Sequence, residues 1–189
     1  MSAPDYKLVQ EAAIRSGIAD WRWLYLVIGA ESGWRPTAAN TQPGQTAKGL
    51  LQWVDTSARE LGYRDSLDLI TKHPTAESQL SGPVVAWFKK MGGPYNTEQK
   101  TYLTVFLPKY RSAALDTVIE TKYQAVNPGI KTVGDYIDFV RTSSRKNGYP
   151  IESLPASSSA IVPEEEGITA DIGLLFLGIA ALYLFFRRK

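Results

Sequence analysis

The sequence predicts a mainly α-helical globular domain, followed by a linker and a C-terminal transmembrane helix. Three observations support this. Apolar residues recur at helical spacing through residues 1–150, no alternating polar and apolar run indicates a strand, and residues 168–186 are almost wholly apolar. The chain has 189 residues, which is enough for one domain of ordinary size with a core and further segments.

Two helices are predicted over "SAPDYKLVQEAAIRSG" and "WRWLYLVIGAE". Ser2 is the expected N-cap of the first helix, and Gly17 follows its end. Asp20 is expected to cap the second helix, which is apolar on nearly every side and is therefore predicted to be the central buried helix. It ends at Glu31, so a carboxylate follows a segment that favours burial.

The middle of the domain is predicted to contain three helical segments. The stretch "DTSARELG" indicates a short helix with Asp55 as its N-cap. The stretch "TAESQLSGPVVAWFKKMGG" indicates a helix that Gly82 and Pro83 break or kink. A further helix over "EQKTYLTVFL" is expected to end before Pro108.

Two more helices are predicted before residue 150. The first covers "SAALDTVIETKYQAV" and ends at the Asn-Pro-Gly that follows. The second begins at Thr132, which has capping-box spacing to Asp135. This last helix has one apolar face, formed by Val133, Tyr136, Ile137 and Val140.

Composition excludes several classes of function. The net charge is +2 and the basic residues are scattered, so a nucleic-acid partner is not predicted. The chain has no cysteine, which excludes thiol catalysis, disulfides and cysteine-based metal sites. Its one histidine, His73, argues against a His-rich metal site or a Ser-His-Asp triad, and we expect it to be a loop residue.

Residues 151–167 are predicted to be a linker, because Pro, Ser, Ala and three glutamates do not form a core. Residues 168–186 carry one charge, Asp171, and a helix of this length is about 28 Å long, close to the thickness of a bilayer core. We therefore predict a single-pass anchor over 168–189 that ends in "RRK". The alternative is a hydrophobic helix docked on the domain.

Two rules disagree about membrane orientation. The first residues show no apolar signal-peptide core, which predicts a domain that stays in the cytoplasm. The positive-inside rule instead keeps "RRK" in the cytoplasm and places the domain outside. A protein packaged in a virus particle would escape this conflict.

Glu31 allows two interpretations: it marks where a buried helix reaches water, or it is kept partly buried as a proton donor. Burial raises the pKa of a carboxyl and keeps it protonated, so that it can protonate a leaving oxygen. Gly33 leaves space beside it, and Gly49 permits close backbone approach. Gln52 both donates and accepts hydrogen bonds, which suits an N-acetyl group or a hydroxyl pair. Flat faces for a sugar are supplied by Trp34, Trp53 and Tyr63.

The stretch "ESGWRPTAAN…AKGLLQWVDTSARELG", residues 31–62, resembles the lytic transglycosylases of the SLT, or goose-lysozyme-like, group. These proteins have Glu-Ser-x-aromatic-x-Pro-x-Ala, then Gly-Leu-Met-Gln, then Thr-x-x-x-x-Leu-Gly. This chain has Leu51 where methionine is usual, and Asp55 where proline is frequent. The matching residues are Glu31, Ser32, Trp34, Pro36, Ala38, Gly49, Leu50, Gln52, Thr56, Leu61 and Gly62.

The resemblance implies a lysozyme-like helical domain that cleaves the β-1,4 bond between N-acetylmuramic acid and N-acetylglucosamine in peptidoglycan. Glu31 would first act as acid on the glycosidic oxygen. The substrate's N-acetyl oxygen would attack the anomeric carbon. Glu31 would then act as base on the C6 hydroxyl, closing a 1,6-anhydro ring. No metal or cofactor is implied. Asp55 is the nearest motif candidate for a second carboxylate, but a helix cap explains it better.

The resemblance also assigns binding residues. Ser32 and Gln52 would hold the sugar, with Gly49 and Trp34 beside them. "TYLTVFLP" is similar to a stretch in phage members of the group, which would make Tyr102 the residue facing the acid. The usual Ala-Tyr-Asn-Ala-Gly block is missing from this chain.

Other functions remain open at this level. A hydrolytic lysozyme shares nearly all of these motifs, and a glycan-binding module or a membrane-anchored assembly protein are alternatives. The expected setting is a bacteriophage particle whose enzyme opens the cell wall during entry, with other virion proteins as partners and the membrane contacted through 168–186. The alternative setting is a wall-remodelling subunit of a bacterial secretion machine, in the inner membrane and facing the periplasm.

Overall fold

The computed structural model describes residues 5–41 and 44–156. These residues are mainly helical, as predicted, and contain isolated β-bridges but no extended strand. A π-helical turn covers Leu80–Val84, and 3₁₀ turns cover Pro108–Tyr110 and Ile151–Ser153. The helices are α1 (Tyr6–Ser16), α2 (Trp21–Ser32), α3 (Asp55–Glu60), α4 (Ser66–Lys72), α5 (Ala76–Gln79), α6 (Val85–Met91), α7 (Glu98–Phe106), α8 (Thr121–Gln124) and α9 (Val133–Lys146).

Helix α2 is the central buried helix, as its composition predicted. Asp20 caps it by accepting a hydrogen bond from the Arg22 N–H at 2.9 Å. Gly33 ends it with φ of 57°, a left-handed conformation that glycine adopts at little cost. The helix packs against α1, α7 and, most extensively, α9. Its buried residues are Trp21, Leu24, Tyr25, Leu26, Val27, Ile28, Gly29 and Ser32.

Helix α9 is the main partner of α2. Thr132 and Asp135 form the predicted capping box at its start. The predicted apolar face is buried, with Val133, Tyr136, Ile137 and Val140 each no more than 5% exposed. This face places Tyr136 against the C-terminal end of α2.

Three sequence-based predictions were wrong in detail. Asp5 caps α1, whereas Ser2 lies outside the described residues. Asp55 is the first residue of α3 rather than its cap, because Val54 occupies the cap position without a side-chain hydrogen bond. Residues 112–126 form only the four-residue α8, because Ile119 is their one buried apolar residue and its N–H bonds the Lys131 carbonyl at 2.8 Å.

The expected disturbance at Gly82 and Pro83 is a π-helical turn between α5 and α6. Proline lacks the N–H that an α-helix needs, and the wider turn absorbs this defect while the chain stays helical. Gly82 lies against the imidazole of His73, and a Cβ there would be 2.9 Å from the ring.

Core packing continues beyond residue 150. Leu154 belongs to the hydrophobic core and is 8% exposed, and Ile151 packs against that core. Residues 151–154 therefore belong with the domain rather than with the linker. The predicted anchor at 168–186 lies outside the described residues, and no helix among those described is long and apolar enough to cross a membrane.

Candidate functional site

Glu31 lies in the last turn of α2, one residue before the helix ends. The side chain is half-buried. No basic residue lies in the last turn of α2, and among the described residues no Lys or Arg forms an ion pair with Glu31. Its charge therefore lacks the compensation that buried carboxylates usually have.

The partner of Glu31 is a phenol on α9. The Tyr136 hydroxyl donates a hydrogen bond of 2.7 Å to Glu31 Oε1. The Tyr136 ring is 1% exposed and stacks with two phenylalanines. Its centroid is 4.2 Å from that of Phe106 and 5.9 Å from that of Phe139, with interplanar angles of 17° and 22°. This stack fixes the direction of the phenol, and through it the direction of the carboxyl.

Burial raises the pKa of Glu31 to about 7, and the Tyr136 hydrogen bond opposes that rise. The position adds to the effect of burial, because the carbonyls at a helix C-terminus disfavour a negative charge. No other carboxylate among the described residues contributes to the shift. Near neutral pH the carboxyl is therefore present in both protonation states, and it is able to give up a proton and to take one back.

A tight turn joins Lys48 to Trp53, whose backbones exchange two hydrogen bonds of 3.0 and 2.7 Å. Gly49 has φ of 78° and Gln52 has φ of 50°. Gln52 and Trp34 are the two non-glycine residues with positive φ among those described, and both lie in the motif segments. Such strain persists only where the surroundings enforce it and is frequent at functional sites.

Gln79 holds this turn, and sequence reasoning missed it. It is fully buried, and its Oε1 accepts a hydrogen bond from the Leu50 N–H at 2.8 Å. Its Nε2 donates to the carbonyls of Pro36 at 2.7 Å and His73 at 2.9 Å. A Cβ on Gly49 would lie 2.8 Å from Gln79 Oε1. Because Gln79 bonds Pro36 in the first motif segment and Leu50 in the second, both segments depend on this one amide. No signal in the sequence indicated this role, because Gln79 lies among other polar residues in "TAESQLSG".

Several predicted binding residues lie in the core. Ser32 is 2% exposed and its hydroxyl donates to the Ile28 carbonyl at 3.0 Å. Trp34 is 6% exposed and packs against Tyr25 and Tyr149. Trp53 is 2% exposed. The structure therefore places these three side chains in support of the site rather than on its surface.

Gln52 is half-buried, and its Nε2 donates to the Gly49 carbonyl at 3.0 Å. This hydrogen bond fixes the Gln52 side chain over the turn that Gln79 anchors. Of the predicted sugar-contacting side chains, Gln52 and Tyr63 are the two that the structure leaves partly open to solvent, and the Tyr63 hydroxyl lies 2.7 Å from His73 Nε2.

The phenol that contacts the acid is Tyr136, not Tyr102 as expected. Tyr102 is fully buried on α7, and burial and the nearby Glu98 carboxylate raise its pKa. Its hydroxyl has no partner in hydrogen-bonding geometry among the described residues. The sequence offered one signal for Tyr136, its place on the apolar face of a well-capped helix, but that signal also fits an ordinary core residue.

Asp55 and His73 have structural roles. Asp55 Oδ1 accepts hydrogen bonds from the Ser66 N–H at 3.1 Å and the Ser66 hydroxyl at 2.8 Å. His73 follows the end of α4, with Nδ1 3.1 Å from the Ser78 carbonyl and Nε2 2.7 Å from the Tyr63 hydroxyl. A proton on Nδ1 satisfies both contacts, with Nε2 accepting from Tyr63. Within residues 5–41 and 44–156, no group of three His, Cys, Asp or Glu side chains is placed to hold a metal ion.

Comparison of this chain with protein-family models, curated proteins and solved structures gave no match. The described residues define a mainly helical protein that has a carboxyl with a raised pKa at the end of its central helix.

Proposed function

We propose that this chain is a peptidoglycan lytic transglycosylase in which Glu31 serves as both general acid and general base. The observation that carries the proposal is the state of its carboxyl, half-buried, with a pKa of about 7 and one phenol as hydrogen-bond partner. A mechanism with a single carboxylate needs a group that is protonated before the reaction and ionised during it.

In the first step, Glu31 protonates the glycosidic oxygen between N-acetylmuramic acid and N-acetylglucosamine. The carbonyl oxygen of the muramic acid N-acetyl group attacks the anomeric carbon as the C–O bond breaks. In the second step, the Glu31 carboxylate takes the proton of the C6 hydroxyl, and that oxygen displaces the N-acetyl oxygen. The product ends in a 1,6-anhydro ring, no water is consumed, and Glu31 is again protonated.

A lysozyme-like fold is part of the same proposal. It is supported by the mainly helical architecture and by the apolar central helix α2 that ends at the acid. The turn between Lys48 and Trp53 carries Gly49 and Gln52, which the resemblance assigns to sugar binding. Its left-handed Gln52 supports a role in holding the sugar.

Phe106 and Phe139 are the aromatic side chains that best fit contact with the glycan. They flank Tyr136, and Phe139 is 37% exposed. Sugars present apolar C–H faces that pack on aromatic rings. These two residues take the place that the sequence suggested for Trp34 and Trp53.

Product analysis tests the reaction type. Digestion of purified peptidoglycan should release fragments that end in 1,6-anhydromuramic acid, about 18 mass units lighter than hydrolysed fragments because water is not added. Glu31→Gln protein at the same concentration is the control and should release none. Reducing-end muramic acid as the main product would make the chain a hydrolytic lysozyme, and binding without any cleavage would make it a glycan-binding module.

The proposed setting is a membrane anchor at 168–186 on a bacteriophage particle. It is supported by the apolar composition of that segment and by the polar linker before it. Residues 1–156, which keep Leu154, should stay in solution and cleave isolated peptidoglycan, while the full chain should partition into detergent. Leu177→Arg should weaken insertion by about 2.5–3.5 kcal/mol and leave cleavage of isolated wall unchanged. Isolation of the chain with a bacterial secretion complex would favour the alternative setting.

A further inference from the structure

The last turn of α2 receives two hydrogen bonds from the chain that follows α9. The Gly29 carbonyl accepts from the Gly33 N–H at 3.1 Å and also from Asn147 Nδ2 at 2.9 Å. The Gly33 carbonyl accepts from the Tyr149 hydroxyl at 3.3 Å. These two carbonyls stand on either side of Glu31 in the sequence, so the turn that carries the acid is held from both ends.

Close packing fixes the same contact. A Cβ on Gly29 would lie 2.7 Å from Ser144 Oγ, so the two segments touch at that glycine. The Ser144 hydroxyl donates to the Tyr149 carbonyl at 2.8 Å. The Tyr149 ring packs against Tyr25 and Trp34, with centroids 5.8 and 6.5 Å apart. The donors on residues 147 and 149 are therefore held in place by the core.

These donors act where the helix is least favourable to a carboxylate. The last carbonyls of a helix lack intrahelical partners and carry partial negative charge. Asn147 adds a second polar hydrogen to the Gly29 carbonyl, which already accepts from the Gly33 N–H, and Tyr149 places one on the carbonyl of Gly33, just past the helix end. The remaining titratable group that faces Glu31 is Tyr136 of α9, and no ion pair of Glu31 is present in the described part of the chain.

We infer that Asn147 and Tyr149 are positioning residues, which fix the last turn of α2 and offset its negative end beside the Glu31 carboxyl. The inference rests on the proposed acid–base role of Glu31. Neither residue needs to touch the substrate. Without their donors, the carboxylate form of Glu31 would be less stable, and the carboxyl would be a weaker acid in the first step of cleavage.

The test compares Tyr149→Phe and Asn147→Ala with the wild-type chain. Titration of the Glu31 carboxyl by ¹³C NMR, assigned with Glu31→Gln, should show its pKa rise by about 0.2–0.7 units in each variant. The alkaline limb of the cleavage rate against pH should move up by the same amount, and the maximal rate should fall severalfold. A residue with a merely structural role would lower the rate without moving either pH profile.

Matched controls exist at other sites. Asn127 Nδ2 donates to the Tyr123 carbonyl at 2.9 Å, and the Tyr110 hydroxyl lies 3.5 Å from Glu120 Oε1. Asn127→Ala and Tyr110→Phe remove the same kinds of donor without touching α2. They should leave the pKa of Glu31 and the pH–rate profile unchanged.

An unchanged pKa of Glu31 in folded Tyr149→Phe and Asn147→Ala would overturn the inference. If Asn147→Ala does not fold, Tyr149→Phe decides, because it keeps the packed ring and removes only the hydroxyl. If the two variants shift the pKa of Glu31 but the wild-type chain cleaves no glycan, the positioning role is supported and the proposed function is rejected. Cleavage with no pKa shift would reject the positioning role alone.

Discussion

Glu31 and Asp55 are two carboxylates in the motif segments, and the fold treats them in opposite ways. Asp55 accepts two hydrogen bonds from Ser66 and lies 3.8 Å from an Arg59 nitrogen. Glu31 accepts one hydrogen bond, from Tyr136, and is without an ion pair among the described residues. Asp55 links α3 to α4 through Ser66, whereas in the described part of the chain Glu31 is hydrogen-bonded to α9 only through the Tyr136 hydroxyl.

The difference shows how a carboxylate that stabilises the fold is distinguished from one that is suited to proton transfer. The two hydrogen bonds from Ser66 tie the start of α3 to the start of α4, so Asp55 contributes to the stability of the fold. Burial without such partners favours the protonated form and costs stability. Groups perturbed in this way are concentrated at functional sites, because catalysis needs a pKa close to the working pH.

The largest expected effect is on cleavage activity, when each of the two carboxylates is replaced by its amide. Glu31→Gln should lower peptidoglycan cleavage by about 10²–10⁴-fold, because the amide does not transfer a proton. Asp55→Asn should keep the cleavage rate and lose about 1 kcal/mol of stability, because its hydrogen bonds with Ser66 lose their charge assistance. Fragment release and urea unfolding measure the two effects. Equal activity loss in both variants would mean that Asp55 takes part in the reaction.

The turn between Lys48 and Trp53 should depend on Gln79 for stability. Gln79→Leu leaves the Leu50 N–H and the carbonyls of Pro36 and His73 without their partners, at about 1–3 kcal/mol for each buried group. We expect a total loss of about 3–5 kcal/mol in urea unfolding. Gln99→Leu is the control, because within residues 5–41 and 44–156 the Gln99 side chain makes a single hydrogen bond, to the Ala113 carbonyl at 2.6 Å. A similar small loss in both variants would contradict the anchoring role of Gln79.

Stability should depend on pH through Glu31. The pKa of Glu31 rises from 4.5 to about 7 on folding, so the folded state binds more protons between these values. The free energy of unfolding should therefore fall as the pH rises from 4.5 to 7 and stay level above 7. The full effect is about 3 kcal/mol, reduced by the solvent that reaches the side chain.

Urea unfolding at several pH values checks this dependence. Glu31→Gln should lack the fall in the free energy of unfolding between pH 4.5 and 7. A wild-type profile that is flat over this range would mean that the carboxyl of Glu31 is solvated in the folded chain.

The smallest expected effect distinguishes two buried tyrosines. Tyr136→Phe keeps the stack with Phe106 but removes the donor to Glu31, and cleavage should fall about 10-fold. Tyr102→Phe removes a buried hydroxyl that has no hydrogen-bond partner among the described residues, so activity and stability should hold or improve. Both are measured by initial rates and thermal unfolding. A larger activity loss for Tyr102→Phe would restore the role that the sequence suggested for it.

Much of the fold was predictable from local patterns. The apolar run before Glu31 predicted the central helix, and the Thr132 capping box predicted the start of α9. Residues 112–126 were mispredicted because helix propensity competes there with a β-bridge between Val118 and Thr132, which depends on a distant part of the chain.

The sequence by itself determined the mainly helical class, the central helix and the position of a carboxylate at its end. Each follows from spacing along the chain, because helical periodicity and caps are local properties. Only the tertiary structure decided which groups surround that carboxylate. Tyr136 is 105 residues from Glu31 in the chain and Asn147 is 118 from Gly29. A pKa is set by burial and by neighbours in space, and neither is a property of local sequence.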